Sequence, residues 1–137
     1  MAEAKDAYLR IKVGDRYSFS KTVTEADIVA FAGITGDFNP LHIDEVSAGK
    51  TQFKGRIAHG MLTAGFISAT LSNLPGIVLY ISQTLHFRLP VRIGDTITAI
   101  SEVIEKRDRK NEILLSTVCK NQDDEVVLEG EAVVRII

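Results

Sequence analysis

The sequence predicts an α+β fold in which an antiparallel sheet of about five strands wraps around one long central helix. Three observations carry this. The stretch Ala58–Leu74 contains no Asp, Glu, Lys or Arg. After Pro75-Gly76 the pattern changes from that unbroken run to alternation, the period of strands. The alternating segments are separated by short turns, which join antiparallel neighbours.

The apolar run comes first because the rest is organised around it. At helical rise its 17 residues span about 25 Å. That is shorter than the roughly 20 apolar residues of a membrane span, and Ser, Thr and Gly interrupt it. A helix apolar on nearly every side belongs in a core. Its start is expected at His59-Gly60 and its stop at Asn73-Leu74-Pro75-Gly76.

In chain order, residues 1–10 read as polar and loose, and Val13-Gly14-Asp15 as a turn. Tyr17 to Val23 alternates as a strand. Thr24 opens a helix with Asp27 as its capping-box partner, and Ile28, Phe31, Ala32 and Thr35 follow at helical spacing. Gly33 and Gly36 mark its end. Asp44 is expected to cap a short helix through Ser47 and Ala48, and Lys50 to Arg56 forms a basic loop. Beyond the central helix, Leu79, Ile81, Leu85, Phe87 and Leu89 fall on one side of a strand. Ser82, Thr84, His86 and Arg88 fall on the other. Pro90 suits a bulge or the strand's end. Thr96–Lys106, Ile113–Lys120 and Val126–Ile136 complete the sheet, joined at 107–112 and 121–124. Such a sheet covers its helix on one side only. The uncovered helix face and the sheet edges therefore call for a partner, and a homodimer is expected.

Composition sets the bounds. A chain of 137 residues suits a single domain, 1–137, large enough for a real core. Hydrophobic residues make up 45% and charged ones 25%, as in ordinary globular chains. A net charge of −2 leaves no electrostatic footprint for nucleic acid. The one cysteine, Cys119, excludes an intrachain disulfide and reads as a buried small apolar residue mid-strand. With no charged-then-apolar leader at the N-terminus, a cytoplasmic location is expected, away from membranes.

The chemistry concentrates at Asp37-Phe38-Asn39-Pro40-Leu41-His42. Pro40 biases Asn39 away from helix, so helix is not expected to run through the segment. A rigid turn there would throw Asp37, Asn39 and His42 toward one locus. A carboxylate, an amide and an imidazole that converge can hold one water and move protons to and from it. The same residues also spell an ordinary turn, which Asn39 would brace. His59 reads as a capping or structural residue, and His86 as solvated. Metal-ligand spacing, a phosphate-binding glycine loop and a nucleophile elbow are all absent from the sequence.

The segments G-D-F-N-P-L-H-I-D, A-H-G-M-L and L-H-F-R-L-P-V-R-I-G-D, in that order, are similar to those of the MaoC-like (R)-specific enoyl-CoA hydratases. The resemblance runs from about Val13 to Ile137. It implies a hot-dog fold, usually homodimeric. The implied reaction is reversible hydration of a trans-2-enoyl-CoA or enoyl-ACP thioester to the (R)-3-hydroxyacyl thioester, without metal or redox cofactor. Coenzyme A would be part of the substrate. By the same resemblance, Asp37 and His42 are the acid/base pair and Asn39 helps hold the water. The N–H of Gly60 receives the thioester oxygen. A helix N-terminus suits that developing charge, and glycine there would let the substrate approach closely. Ser68, two turns beyond Gly60, would line the acyl pocket, with Phe66 and Leu71 as further candidates. A hot-dog thioesterase and a non-catalytic acyl-thioester binding module are the alternatives.

Overall fold

A computed structural model describes residues 2–137. Its organising contact is the central helix α5 (Gly60–Leu71) against the concave face of one antiparallel sheet. The sheet runs β1 (Arg16–Thr22), β4 (Thr96–Arg107), β5 (Glu112–Lys120), β6 (Val126–Ile136), β2 (Val78–Gln83), with the short β3 (His86–Phe87) also paired to β6. This agrees with the expected sheet of five strands around a helix, with one strand broken in two.

The break has a cause. At Thr84 the ladder is only half kept: Thr84 N donates to Glu131 O at 2.9 Å, but the Glu131 N–H goes to the Thr84 hydroxyl, also at 2.9 Å. The Thr84 carbonyl oxygen stands so close to Gly130 of β6 that a Cβ there would lie 1.8 Å from it. Pairing resumes at His86 and Phe87, opposite Glu129 and Leu128. The expected continuous strand from Leu79 to Leu89 is therefore two pieces.

Alternation decides which side chains meet the helix. Ile97, Ala99, Ser101 and Val103 of β4 face inward, as do Ile113, Leu115, Thr117 and Cys119 of β5. On α5, Thr63, Ala64, Phe66, Ile67, Thr70 and Leu71 are buried against them. The buried hydroxyls of Thr70, Ser101 and Thr117 find side-chain partners, while the Thr63 Oγ1 on α5 has none among the described residues. Thr70 and Ser101 share a hydrogen bond of 2.6 Å, and Gln83 Nε2 donates to Thr117 Oγ1 at 2.9 Å. The opposite face of α5 stays open, with Met61, Gly65 and Ser68 exposed.

Two further differences are physical. Residues 2–10 are not loose but form helix α1 (Ala2–Arg10), which buries Ala4, Ala7 and Tyr8. The anchor comes from the far end of β4. Tyr8 donates to Asp108 Oδ1 at 2.9 Å, and Lys106 Nζ donates to the carbonyls of Tyr8 and Ile11 at 2.9 and 2.5 Å. Helix α2 (Glu25–Thr35) carries the expected capping box between Thr24 and Asp27, but it passes Gly33 and ends at Gly36, whose φ of 82° is left-handed. None of the described helices is long and apolar enough to cross a membrane.

Candidate active site

The site is built where α2 ends. Gly36 turns the chain out of the helix, and Asp37 then organises the next turn, its Oδ1 accepting the Asn39 N–H at 3.1 Å. Asn39 Oδ1 accepts the Leu41 N–H at 3.1 Å. Pro40 does not prevent a helical turn here. It occupies the first position of the short helix α3 (Pro40–Ile43), where a missing N–H costs nothing. Asn39 is that helix's cap. As expected, Asp44 caps the following helix α4 (Glu45–Gly49), accepting from Val46 N.

His42 lies in the single turn of α3 and is buried. Its Nδ1 lies 2.8 Å from the Ile57 carbonyl oxygen. A carbonyl can only accept, so Nδ1 carries the hydrogen and Nε2 keeps its lone pair. Arg56 fastens the turn, donating from Nε to the His42 carbonyl at 2.6 Å and from Nη1 to Glu25 Oε2 at 2.7 Å.

His59 is the residue that sequence reasoning assigned no chemistry. It precedes α5 as its N-cap, yet its side chain makes no capping bond. Instead the ring is 1% exposed and its Nε2–H donates to the Asp37 carbonyl at 3.0 Å. Its ring centroid stands 4.1 Å from that of His42 and 4.7 Å from that of Phe31. Asp37, His42 and His59 thus bring side-chain donor atoms within 4.8 Å of one another. They are the set among the described residues that could hold a metal ion.

Asp37, His42, His59 and Gly60 line one cavity of about 370 Å³, whose walls are largely apolar and include Phe87 and Val91. Gly60, the first residue of α5, has an N–H with no acceptor inside the helix. Of the expected site residues, Asp37, His42 and Gly60 meet here. Asn39 does not line the cavity, and its oxygen is spent on the cap. Ser68 lies in a second groove of about 430 Å³, with Gly65, Tyr80 and Ile81. Eight residues at about 100° each overshoot two turns by about 80°, so Ser68 and Gly60 look in different directions. Met61 lines both spaces. Phe66 is buried against Phe19, ring centroids 5.7 Å apart, and Leu71 is buried in the core. Neither lines the cavity or the groove.

A curled antiparallel sheet around a helix, with an Asp/His pair at the helix N-terminus, defines the class. The chain belongs to the MaoC like domain family, whose pattern matches residues 10–125. It is 48% identical over 128 residues to an (R)-specific enoyl-CoA hydratase of Rhodospirillum rubrum, covering 92% of this chain and 88% of that protein. Identity is likewise 48% over 128 residues to a 3-hydroxybutyryl-CoA dehydratase of Methylorubrum extorquens, covering 92% and 81%. Among solved structures, the (R)-hydratase of A. caviae involved in PHA biosynthesis superposes with a TM-score of 0.87 at 38% identity, covering 93% of this chain and 98% of that one. The fold is the hot dog expected from the sequence resemblance.

Proposed function

We propose that this chain is an (R)-specific enoyl-CoA hydratase, adding water reversibly across the double bond of a trans-2-enoyl thioester. The observation that carries the reading is the meeting of the Asp37 carboxyl and the His42 ring on one cavity, beside the Gly60 amide. The relatives named for this reaction support it.

One water touches both Asp37 and His42 Nε2. As its oxygen bonds to C3, one of the two groups accepts a proton. The C2–C3 π electrons move toward the carbonyl, and negative charge collects on the thioester oxygen. The Gly60 N–H and the positive end of α5 stabilise that charge. A proton then reaches C2 from the acid/base pair, so the elements of water are added with no change in oxidation state. The reaction asks for no metal or redox cofactor, and coenzyme A enters as part of the substrate. Met61 borders both spaces, so the groove at Ser68 lies next to the cavity, on the side toward which a longer acyl chain would extend. The single buried thiol, Cys119, fits a reducing, cytoplasmic setting.

The partner is a second copy of the chain. Strand β2 ends the sheet with Leu79, Tyr80 and Ile81 exposed, beside the open face of α5. Burying that edge and face together removes an apolar patch and an unpaired ladder. Sedimentation at the mass of two chains is the expected result, and a monomer would refute it.

The deciding experiment gives crotonyl-CoA to the purified protein. Loss of the enoyl absorbance with formation of the (R)-3-hydroxy thioester is expected. Release of free thiol instead, seen with a thiol-reactive dye, would mean a thioesterase. Saturable binding without turnover would mean a binding module.

A further inference from the structure

We infer that Phe87 is the positioning residue of the oxyanion site: its ring fixes how the thioester approaches the Gly60 amide. The inference rests on the hydratase reading above. Gly60 is where it starts. A Cβ built on Gly60 would lie 2.5 Å from Cε1 and 2.7 Å from Cδ1 of Phe87. The volume that any side chain at 60 needs is therefore already filled, and a ring of this chain fills it, not substrate. The glycine allows Phe87 to sit directly on the first turn of α5.

The backbone that carries the ring is held from behind. Phe87 pairs with Leu128 in β3, and the next two amides, of Arg88 and Leu89, both donate to the Val127 carbonyl, at 2.9 and 3.3 Å. On the other side Thr84 N donates to Glu131 O at 2.9 Å. The backbone is thus pinned to β6 before and after the ring. Yet Phe87 is 55% exposed and lines the same cavity as Asp37, His42 and Gly60. A large apolar ring beside the polar Asp37–His42 pair, on a backbone fixed from behind and open in front, is a wall suited to an apolar ligand segment. The thioester sulfur and its adjoining methylene arm are that segment, since sulfur and methylenes pack well on aromatic edges. With the ring on one side of Gly60, the carbonyl oxygen has to reach the amide from the cavity side, where the Asp37–His42 pair lies.

The test measures kcat and KM on crotonyl-CoA, with thermal melts alongside, for Phe87→Ala, Phe87→Tyr, Gly60→Ala and the double variant Gly60→Ala/Phe87→Ala. Misplacement by about an ångström costs on the order of 100-fold. Phe87→Ala should therefore lower kcat about 10–100-fold with KM within about threefold, and Phe87→Tyr should recover most of that loss. Gly60→Ala should lose activity comparably, because its methyl evicts the ring. The double variant should lose no more than the worse single one, because both changes empty the same seat. Wild-type kcat in Phe87→Ala, or losses that multiply in the double variant, would overturn the inference. If Gly60→Ala does not fold, the Phe87 pair decides alone. A wild-type protein without hydration activity would instead sink the hydratase reading, and this inference with it.

Discussion

Asp37→Asn separates chemistry from architecture at this site. The side chain is exposed, and its one architectural duty is to accept the Asn39 N–H through Oδ1 at 3.1 Å. An asparagine keeps an oxygen in that place. The bond from His59 goes to the Asp37 carbonyl and survives any side-chain change. Stability should therefore stay within about 0.5 kcal/mol of wild type, as for surface substitutions that break nothing. What disappears is the ability to take or give a proton. A positioned acid or base is worth about 10²–10⁴ in rate, or about 2.7–5.4 kcal/mol of barrier. The assay is kcat on crotonyl-CoA followed by enoyl absorbance, beside a thermal melt. If the two groups act on one water, as proposed above, combining Asp37→Asn with His42→Ala should cost little more than the worse single change. A kcat within tenfold of wild type in Asp37→Asn, with the fold intact, would refute the assignment.

Other outcomes test the frame. Thr24→Ala should cost about 1 kcal/mol by removing the α2 cap, a fall in Tm of roughly 3–4 °C. The Lys21 ammonium, hydrogen-bonded to the Asp27 carboxylate, holds that acid below its ordinary value of 3.8, with the Thr24 bonds adding to the effect. A carboxyl with a depressed folded pKa stabilises above its unfolded value and loses that contribution as pH falls through the folded one. The Tm gap between wild type and Asp27→Asn should accordingly be full at neutral pH and close below about pH 4. Gly130→Ala puts a methyl where the Thr84 backbone stands 1.8 Å away. With no flexible side chain to yield, about 3 kcal/mol or more of stability should be lost, read as a Tm drop of about 10 °C or as failure to fold. Burial pushes the Cys119 thiol up to about 12. It should ignore a thiol reagent at about pH 8 in the native protein and react fully in urea, which a titration before and after unfolding checks.

How much of this could be read from the chain depended on how local the cause was. The capping box at Thr24 and Asp27, the Asp44 cap and the start of α5 at Gly60 are written within a few residues, and each lies where the pattern put it. Helix α1 has the right spacing too, Ala4, Ala7, Tyr8 and Ile11, but two of the four are alanines and supply little apolar signal. What holds it are Lys106 and Asp108, partners from the far end of the chain that no local window contains.

The site divides in the same way. Asp37 and His42 share one turn and were found together. Asn39 belongs to that turn as well, but the local need for a cap on α3 takes its oxygen, and the place beside the pair goes to His59. Residue type pointed His59 toward a helix cap. Its ring turns away because the Asp37 carbonyl, a stronger claim on a buried N–H than open solvent, lies 3.0 Å from Nε2. Gly60 follows the same logic. A glycine at a helix start signals that something approaches closely, and the pattern alone favours substrate. The sheet curls Phe87 onto the glycine instead, so the space that a side chain at 60 would take belongs to a ring much further along the chain, which no local pattern could show.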